Sequence, residues 1–500
     1  MKRIIDFKAT KCKHCYKCVR NCDVKAIMIR DERAEIMPDR CVLCGHCLQV
    51  CPQSAKTLVS DLEKVQSMVR RGEKVVVSIA PSYMGLLKHR SIGQVNTALR
   101  KLGFFDVRET SEGAAVVTAE YARLLEEGTM ENIITTCCPS VNDLIEIYYP
   151  KLTQYMAPVV SPMIAHGMIL RKEYGPDAKI VFLGPCIAKK KEAADFRHEG
   201  YIDAVLNFND INSWLKDAQI DIEACEDTPF RQLDPKVNRL YPVTNGVVNS
   251  VLATEKKVDH YRKFYVHGTK NCIDLCESML RGEISGCFIE INMCTGGCIK
   301  GPTVQDEAFI PRFKIKLDME ESIPRQPVEE GEMERVMEGL DFRKEFMNRA
   351  PLDRMPTEDQ IRQILHKTGK DRPEDELNCG ACGYATCREK AIAVFQGKAE
   401  LNMCIPYMHE KAESLANLVM ETSPNLVLIV DRDMKIKEYS AVGEKFFGKT
   451  RQEALQMYLD EFIDTTDFRW VMETRNNIHG KKVVYTDYNN LATLHNLVYV

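Results

Sequence analysis

Eight of the 21 cysteines in this 500-residue chain fall in two runs near the amino terminus, CKHCYKCVRNC and CVLCGHCLQVC. Cys12, Cys15, Cys18 and Cys22, then Cys41, Cys44, Cys47 and Cys51, repeat one spacing, C-x2-C-x2-C-x3-C. Thiols this dense pair with each other, bind metal or fill space as small hydrophobes. The opening stretch MKRIIDFKATKCKHC has no apolar segment of the signal-peptide kind. No apolar run reaches the ~18–20 residues that span a bilayer. The expected location is therefore cytoplasmic, where cysteines are not mainly disulfides. In that setting the spacing favours metal ligation.

The doubled spacing resembles that of two-cluster bacterial ferredoxins, in which the fourth cysteine of each run serves the other cluster. The resemblance implies one 4Fe–4S cluster on Cys12, Cys15, Cys18 and Cys51. A second would use Cys41, Cys44, Cys47 and Cys22, the whole forming an α+β module over residues 1–60. Zinc rarely needs eight cysteines so arranged. One departure is Asp23, which stands where a proline usually follows the first run; Pro52 follows the second.

The length leaves room for three or four folding units. An apolar fraction of 45% with 28% charged residues is ordinary for a globular chain. A net charge of −4 without a basic cluster argues against a nucleic-acid partner. Neither nucleic acid nor membrane is an expected partner.

A second set of cysteines is spread over three segments: TTCCPS (Cys137, Cys138), FLGPCIAKKKEA (Cys186) and EINMCTGGCIKGP (Cys294, Cys298). The β-branched runs KVVVSIAPS, ENIITTCCPS and KIVFLGPC end in chemistry-bearing residues, with helical patterns such as NTALRKLGF and TAEYARLLEEG between them. That alternation predicts an α/β domain with its chemistry at the carboxyl ends of parallel strands. From about Lys74 to Pro324 the segments resemble, in order, the TSCCPxW, MPCxxKxxE and ExMxCxxGCxxGGG signatures of the FeFe-hydrogenase large subunit. A catalytic domain over residues 70–350 is expected.

The resemblance implies an H-cluster: a 4Fe–4S cube on Cys138, Cys186, Cys294 and Cys298, with Cys298 bridging to a two-iron unit carrying CO, cyanide and a dithiolate. It makes Lys189 a donor to a cyanide ligand and Cys137 the first proton carrier. Ala80, Pro81 and Ser82 match the loop over the dithiolate, and Pro185 and Asn292 flank the cofactor. Counting back from Cys137 places Glu120 at a relay glutamate, but Val117 and Ala157 stand where a second glutamate and a serine belong. Valine and alanine carry no protons. Gly184 and Asn292 replace shielding methionines, Met163 replaces a glutamine, and the closing GGG is Gly301-Pro302-Thr303. These swaps alter access and hydrogen bonding around a metal group, and slow turnover is expected.

A third set, Cys379, Cys382, Cys387 and Cys404, has C-x2-C-x4-C-x16-C spacing. It resembles the small helical 4Fe–4S domain of corrinoid and CO-dehydrogenase-associated proteins, here over residues 355–412, with zinc the competing ligand. Thr357 and Gln360 form a capping box for the preceding helix. Of the remaining cysteines, Cys272 and Cys276 lie four apart on a helix and are expected in the core; Cys225 and Cys287 have no evident role.

After Cys404, Met408, Ala412, Leu415, Leu418 and Val419 form a helical stripe, expected to pack or link rather than coil. The order strand–strand–helix–helix–strand–strand that follows resembles a PAS sensor domain over residues 413–500. Such domains and their lead-in helices often pair, which would give a homodimer. GEKFFGKT, Gly443 to Thr450, matches the phosphate-loop pattern formally, but Phe446 and Phe447 suit an amphipathic helix better. The combined reading is a multidomain α/β hydrogenase-type enzyme, converting H2 and protons slowly, exchanging electrons with a ferredoxin or other redox partner and signalling through the PAS segment. An ordinary ferredoxin-dependent hydrogenase and a non-enzymatic iron–sulfur electron-transfer or assembly protein are the alternatives.

Overall fold

The computed structural model describes residues 3–230, 236–254, 260–304, 337–487 and 492–498, with single positions at 311, 313, 314, 317 and 335. Contacts divide the chain into two compact units, Met1–Leu401 and Asn402–Val500. Among the described residues no helix is long and apolar enough to cross a membrane.

The first strands build a small α+β module. β1 (Ile5–Phe7) pairs antiparallel with β4 (Lys56–Leu58), and β2 (Ile27–Arg30) with β3 (Arg33–Ile36). Asp31 and Glu32, at φ +47° and +61°, make the two-residue turn whose left-handed backbone matches strand twist. The two cysteine runs are built alike. Cys22 Sγ accepts the Ala26 N–H at 3.3 Å, and Cys51 Sγ accepts that of Ala55 at 3.3 Å.

Two parallel sheets follow. β5 (Val75–Ile79), β6 (Asp106–Glu109), β8 (Lys179–Leu183) and β9 (Ala204–Leu206) lie in the order β6-β5-β8-β9. β7 (Ile133–Ile134), β10 (Arg262–His267) and β11 (Cys287–Asn292) lie in the order β10-β11-β7. The chain leaves β5 toward one side and returns on the other as β8, so a crevice opens at their carboxyl ends. β5 and β11 are buried along their whole length, as strands covered on both faces must be. The helices Ser111–Glu127 and Pro162–Tyr174 cover one face of the larger sheet. Cys272 and Cys276 both point into the core from the helix Thr269–Leu280, and Cys225 and Cys287 are buried too.

The small module is fastened to the second sheet. Val42 is buried with Cys138, Ile134 and Ile289, and the Tyr148 hydroxyl donates to the carbonyls of Val24 (3.1 Å) and Arg40 (2.7 Å). Gly45, at φ +81°, lies so close to residue 302 that an added Cβ would sit 2.3 Å from Pro302 Cβ. Residues 353–398 join the same side. Asp353 bridges Arg40 (2.6 Å) and Lys398 (2.7 Å), and the helices Glu358–His366 and Cys387–Phe395 share Ile361, Leu365 and Ala391. Thr357 and Gln360 form the reciprocal cap read from the sequence.

In the second unit a helix runs from Ile405 to Thr422. It passes straight through the boundary expected at residue 412, and the compact units part earlier, after Leu401. Leu415, Leu418 and Val419 of its apolar stripe are exposed. β12 (Leu428–Val430) pairs with β13 (Ile436–Tyr439), and β14 (Lys481–Asp487) with β15 (Ala492–Val498), all antiparallel. Between them lie the helices Ala441–Phe447, Arg451–Ala454 and Thr466–Thr474. The helix Ala441–Phe447 ends at Gly448, whose φ of +65° stops it before Arg451–Ala454 begins. Gly443 lies inside that helix, and Phe447 packs edge-on to Phe446 and Phe462. The Gly443–Thr450 stretch is therefore a helix and its end, not a phosphate cradle.

Gly45→Val should lower the melting temperature, by the equivalent of roughly 1–3 kcal/mol from overpacking alone, with added strain from the positive φ. An unchanged thermal melt would mean that the module is not held by this contact.

Candidate functional site

Three segments deliver sulfur to one cavity, lined by Cys137, Cys138, Cys186, Cys294 and Cys298 together with Leu43, Lys189, Asn292, Met293 and Pro302. β7 leads into Cys137 and Cys138, and Pro139 opens the helix Pro139–Tyr148 at its first turn, where its missing N–H costs nothing. β8 leads through Gly184 and Pro185 to Cys186, and β11 through Met293 to Cys294. The chain then turns through Gly296 and Gly297, both at positive φ, to present Cys298.

Burial pushes the Cys186 thiol up to about 11, and burial together with neighbouring sulfurs raises Cys294 and Cys298 far above the ordinary thiol range. Adjacent thiolates in so dry a site repel one another, and a polycationic iron–sulfur group removes that penalty by deprotonating its ligands outright. Among the described residues no three His, Cys, Asp or Glu side chains converge on a point that a single metal ion would fill. The sulfurs surround a cavity instead. Donor type, number and spacing fit a cluster better than zinc.

Lys189 begins the helix Lys189–Ala193 directly after the Cys186 loop. Its Nζ donates to Glu192 Oε2 (2.7 Å), Ser161 Oγ (2.9 Å) and the Cys137 carbonyl (3.3 Å). Burial disfavours its charge, yet Glu192 and the Cys186 thiolate hold the ammonium above its usual range. Glu192 Oε1 is buried without a hydrogen bond. Glu192 is the last residue of the motif read around Cys186; Ser161 lies four residues past Ala157 and had no signal in the spacing.

The Cys137 thiol is pushed up to about 12 by burial, against the pull of Tyr121 and Lys189. Its Sγ lies 3.1 Å from the Tyr121 hydroxyl, which also accepts the Thr136 N–H at 2.8 Å. Val117 and Ala157 are fully buried in the apolar cluster against which Cys137 packs. Glu120 points away: it pairs with Arg123 at 2.9 Å on the outer side of the helix, one position before the residue that meets Cys137. Tyr121, missed in the sequence, is therefore the hydroxyl beside the thiol, and Glu120 is not part of this contact.

Ala80, Pro81 and Ser82 follow β5 at the crevice but do not line the cysteine cavity. Ala80 is beside Gly184, and Ser82 Oγ is buried without a hydrogen-bond partner, a polar atom that a bound group would satisfy. A Cβ on Gly184 would lie 2.6 Å from the Phe182 ring, so Phe182 fills the space of the expected methionine. Met163 is buried in apolar surroundings. The Pro185 carbonyl accepts from Thr303 Oγ1 at 2.9 Å, and the Asn292 amide donates to Glu290 at 3.0 Å. Burial pushes Glu290 up to about 7, although its carboxylate accepts the N–H groups of Asn245, Val247 and Val248.

In the small module, Cys12, Cys15, Cys18 and Cys51 line a second cavity with Phe7, Ile29 and Lys56, and Lys56 Nζ lies 3.6 Å from Cys18 Sγ. Cys22, Cys41, Cys44 and Cys47 face one another; burial first, then their mutual repulsion, lifts all four thiols. Cys44 also acts on Cys294, so this second set adjoins the cavity of Cys138, Cys186, Cys294 and Cys298.

Residues 73–302 match the family described as iron only hydrogenase large subunit, C-terminal domain. Residues 11–55 match a 4Fe–4S dicluster domain, and residues 375–406 a putative Fe–S cluster family. Iron hydrogenase 1 of Clostridium pasteurianum is 27% identical over 309 residues, 50% of this chain and 53% of that protein. The NADP-reducing hydrogenase subunit HndD of Solidesulfovibrio fructosivorans is 26% identical over 367 residues, 58% of this chain and 63% of that one. The chain thus spans between about half and two thirds of the length of these curated relatives. A solved FeFe-hydrogenase HydA1 of Chlamydomonas reinhardtii aligns at 17% identity over 59% of this chain and 100% of that one, with a TM-score of 0.48. The sequence matches support a hydrogenase-type oxidoreductase domain behind a two-cluster ferredoxin domain.

If the cavities hold clusters as grouped, Cys51→Ala and Cys12→Ala should abolish the same spectroscopic signal, and Cys22→Ala the one lost in Cys41→Ala. Electron paramagnetic resonance of the anaerobically reconstituted chain decides it; Cys51→Ala behaving like Cys41→Ala would break the grouping.

Proposed function

We propose that this chain interconverts H2 with protons and electrons at an H-cluster-type group, slowly, and that the activity serves to sense hydrogen or redox state. The observation that carries the reading is the contrast at one cavity. Four thiols and Lys189 are in place, while the positions leading away from Cys137 are apolar and buried.

Cys138, Cys186, Cys294 and Cys298 would hold the group, which when bound supplies the redox-active iron. Lys189, kept cationic by Glu192 and Ser161, presents a fixed positive charge to an anionic ligand set, an interaction strengthened by the dry surroundings. Cys137 would hold the departing proton at Sγ, with the Tyr121 hydroxyl as its neighbour. Val117 and Ala157 offer it nothing onward. The ferredoxin module would exchange electrons with a ferredoxin or another redox partner in the cytoplasm. The second unit, with strand pairs before and after the helices Ala441–Phe447, Arg451–Ala454 and Thr466–Thr474, is read as a PAS-like module that passes the state on to a signalling partner. PAS ligand and homodimer formation belong to this proposal.

The retained Cys137 and complete thiol set also favour a second reading, an ordinary catalytic hydrogenase. Hydrogen evolution from reduced methyl viologen separates the two. The wild-type chain should be slow, and Val117→Glu with Ala157→Ser should raise the rate at least tenfold, provided iron content is unchanged. Wild-type turnover at a bulk enzyme's rate, unaffected by the double variant, would contradict the sensing reading.

A further inference from the structure

The loop carrying Cys379, Cys382 and Cys387 rests on the ferredoxin module. A Cβ on Gly383, itself at φ +96°, would lie 2.9 Å from Val19 Cγ1 and 3.2 Å from the Arg20 nitrogen. Arg20 Nη1 donates to the Ala381 carbonyl at 3.0 Å. The backbone N–H of Ile29 donates to the Lys398 carbonyl at 3.0 Å, and Asp353 binds both Arg40 and Lys398. Tyr384 is buried beside this contact, within reach of both Cys382 and Cys22; burial and then these two thiolates push its hydroxyl up to about 12.

Cys22 belongs to the set that also holds Cys41, Cys44 and Cys47. That set is met from three directions. The helix Lys17–Arg20, which carries Cys18 of the first cavity, runs into Cys22. Gly45 presses on Pro302 and Ile187 at the Cys294 cavity, where Cys44 acts on Cys294. The 379–387 loop closes over Val19 and Arg20 from the remaining side.

We propose that Cys22, Cys41, Cys44 and Cys47 hold a three-way electron junction, and that Gly383 and Tyr384 seat the third cysteine loop against it. Electrons to or from the cluster assigned to residues 375–406 would then pass through the junction and not directly to the Cys294 cavity. The step is a one-electron transfer: the junction is oxidised as the third site is reduced, and no bond forms or breaks. The electron comes from hydrogen if the proposed function holds, or from dithionite in the test. The junction rests on the iron–sulfur reading of the three cysteine sets and needs no two-iron unit.

The full chain, reconstituted anaerobically with iron and sulfide and reduced with dithionite, is examined by electron paramagnetic resonance and iron analysis. The reduced wild type should show magnetic interaction between the junction and third-site signals. Cys382→Ala should lose the iron of one cluster and that interaction together. Gly383→Val should keep its iron and lose at least half of the interaction; should it lose iron instead, Cys382→Ala decides alone. Non-interacting signals in the wild type, or an interaction that survives Cys382→Ala, would overturn the junction. Hydrogen turnover absent from separately matured chain, with the interaction intact here, would count against the proposed function and leave the junction standing.

Discussion

Sulfur that must be anionic and buried at once is the constraint on which this molecule is built. Four cysteines reach one cavity from the ends of β7, β8 and β11 and from the Gly296–Gly297 turn, and as free thiols they are held protonated by their surroundings. A cavity of that kind is stable only when a cationic group compensates it or when every sulfur keeps its proton. Both parallel sheets therefore serve one purpose: they hold the loops rigid enough that the sulfurs surround a cavity and do not collapse on one another.

The same economy of position explains the neighbouring charges. Burial works against the charge of Lys189, Glu192 offsets it most, and the pair is locked by Ser161. Replacing either partner alone leaves a buried ion, which typically costs about 3–5 kcal/mol. Three other expected polar or flexible groups around the cavity are absent because apolar packing has taken their place. Phe182 occupies the space beside Gly184, and Val117 and Ala157 belong to the main core.

Spacing alone grouped the thiols that the structure brings together at two cavities, because a cysteine set of that kind needs fixed residue types at fixed intervals. The crevice at the ends of β5 and β8 was legible from β-branched runs that end in motif residues. The neighbours of Cys137 were not. Counting residues along the helix Ser111–Glu127 pointed to Glu120, but helical phase turns that side chain outward to Arg123 and brings Tyr121 to the thiol. Ser161 and the docking of Gly45 on Pro302 come from segments far apart in sequence, which no local pattern encodes. In the second unit the strands and helices followed their patterns, while the break at Gly448 came from one glycine in the left-handed region.

The central claim is that the cavity of Cys138, Cys186, Cys294 and Cys298 would bind a two-iron unit besides a cube. Infrared spectroscopy of the full chain after anaerobic maturation tests it most directly. The account predicts sharp CO and cyanide bands that disappear in Cys298→Ala while the ferredoxin-type signals persist. Iron–sulfur signals from the matured chain with no CO or cyanide bands at all would contradict it and favour an electron-transfer or assembly protein.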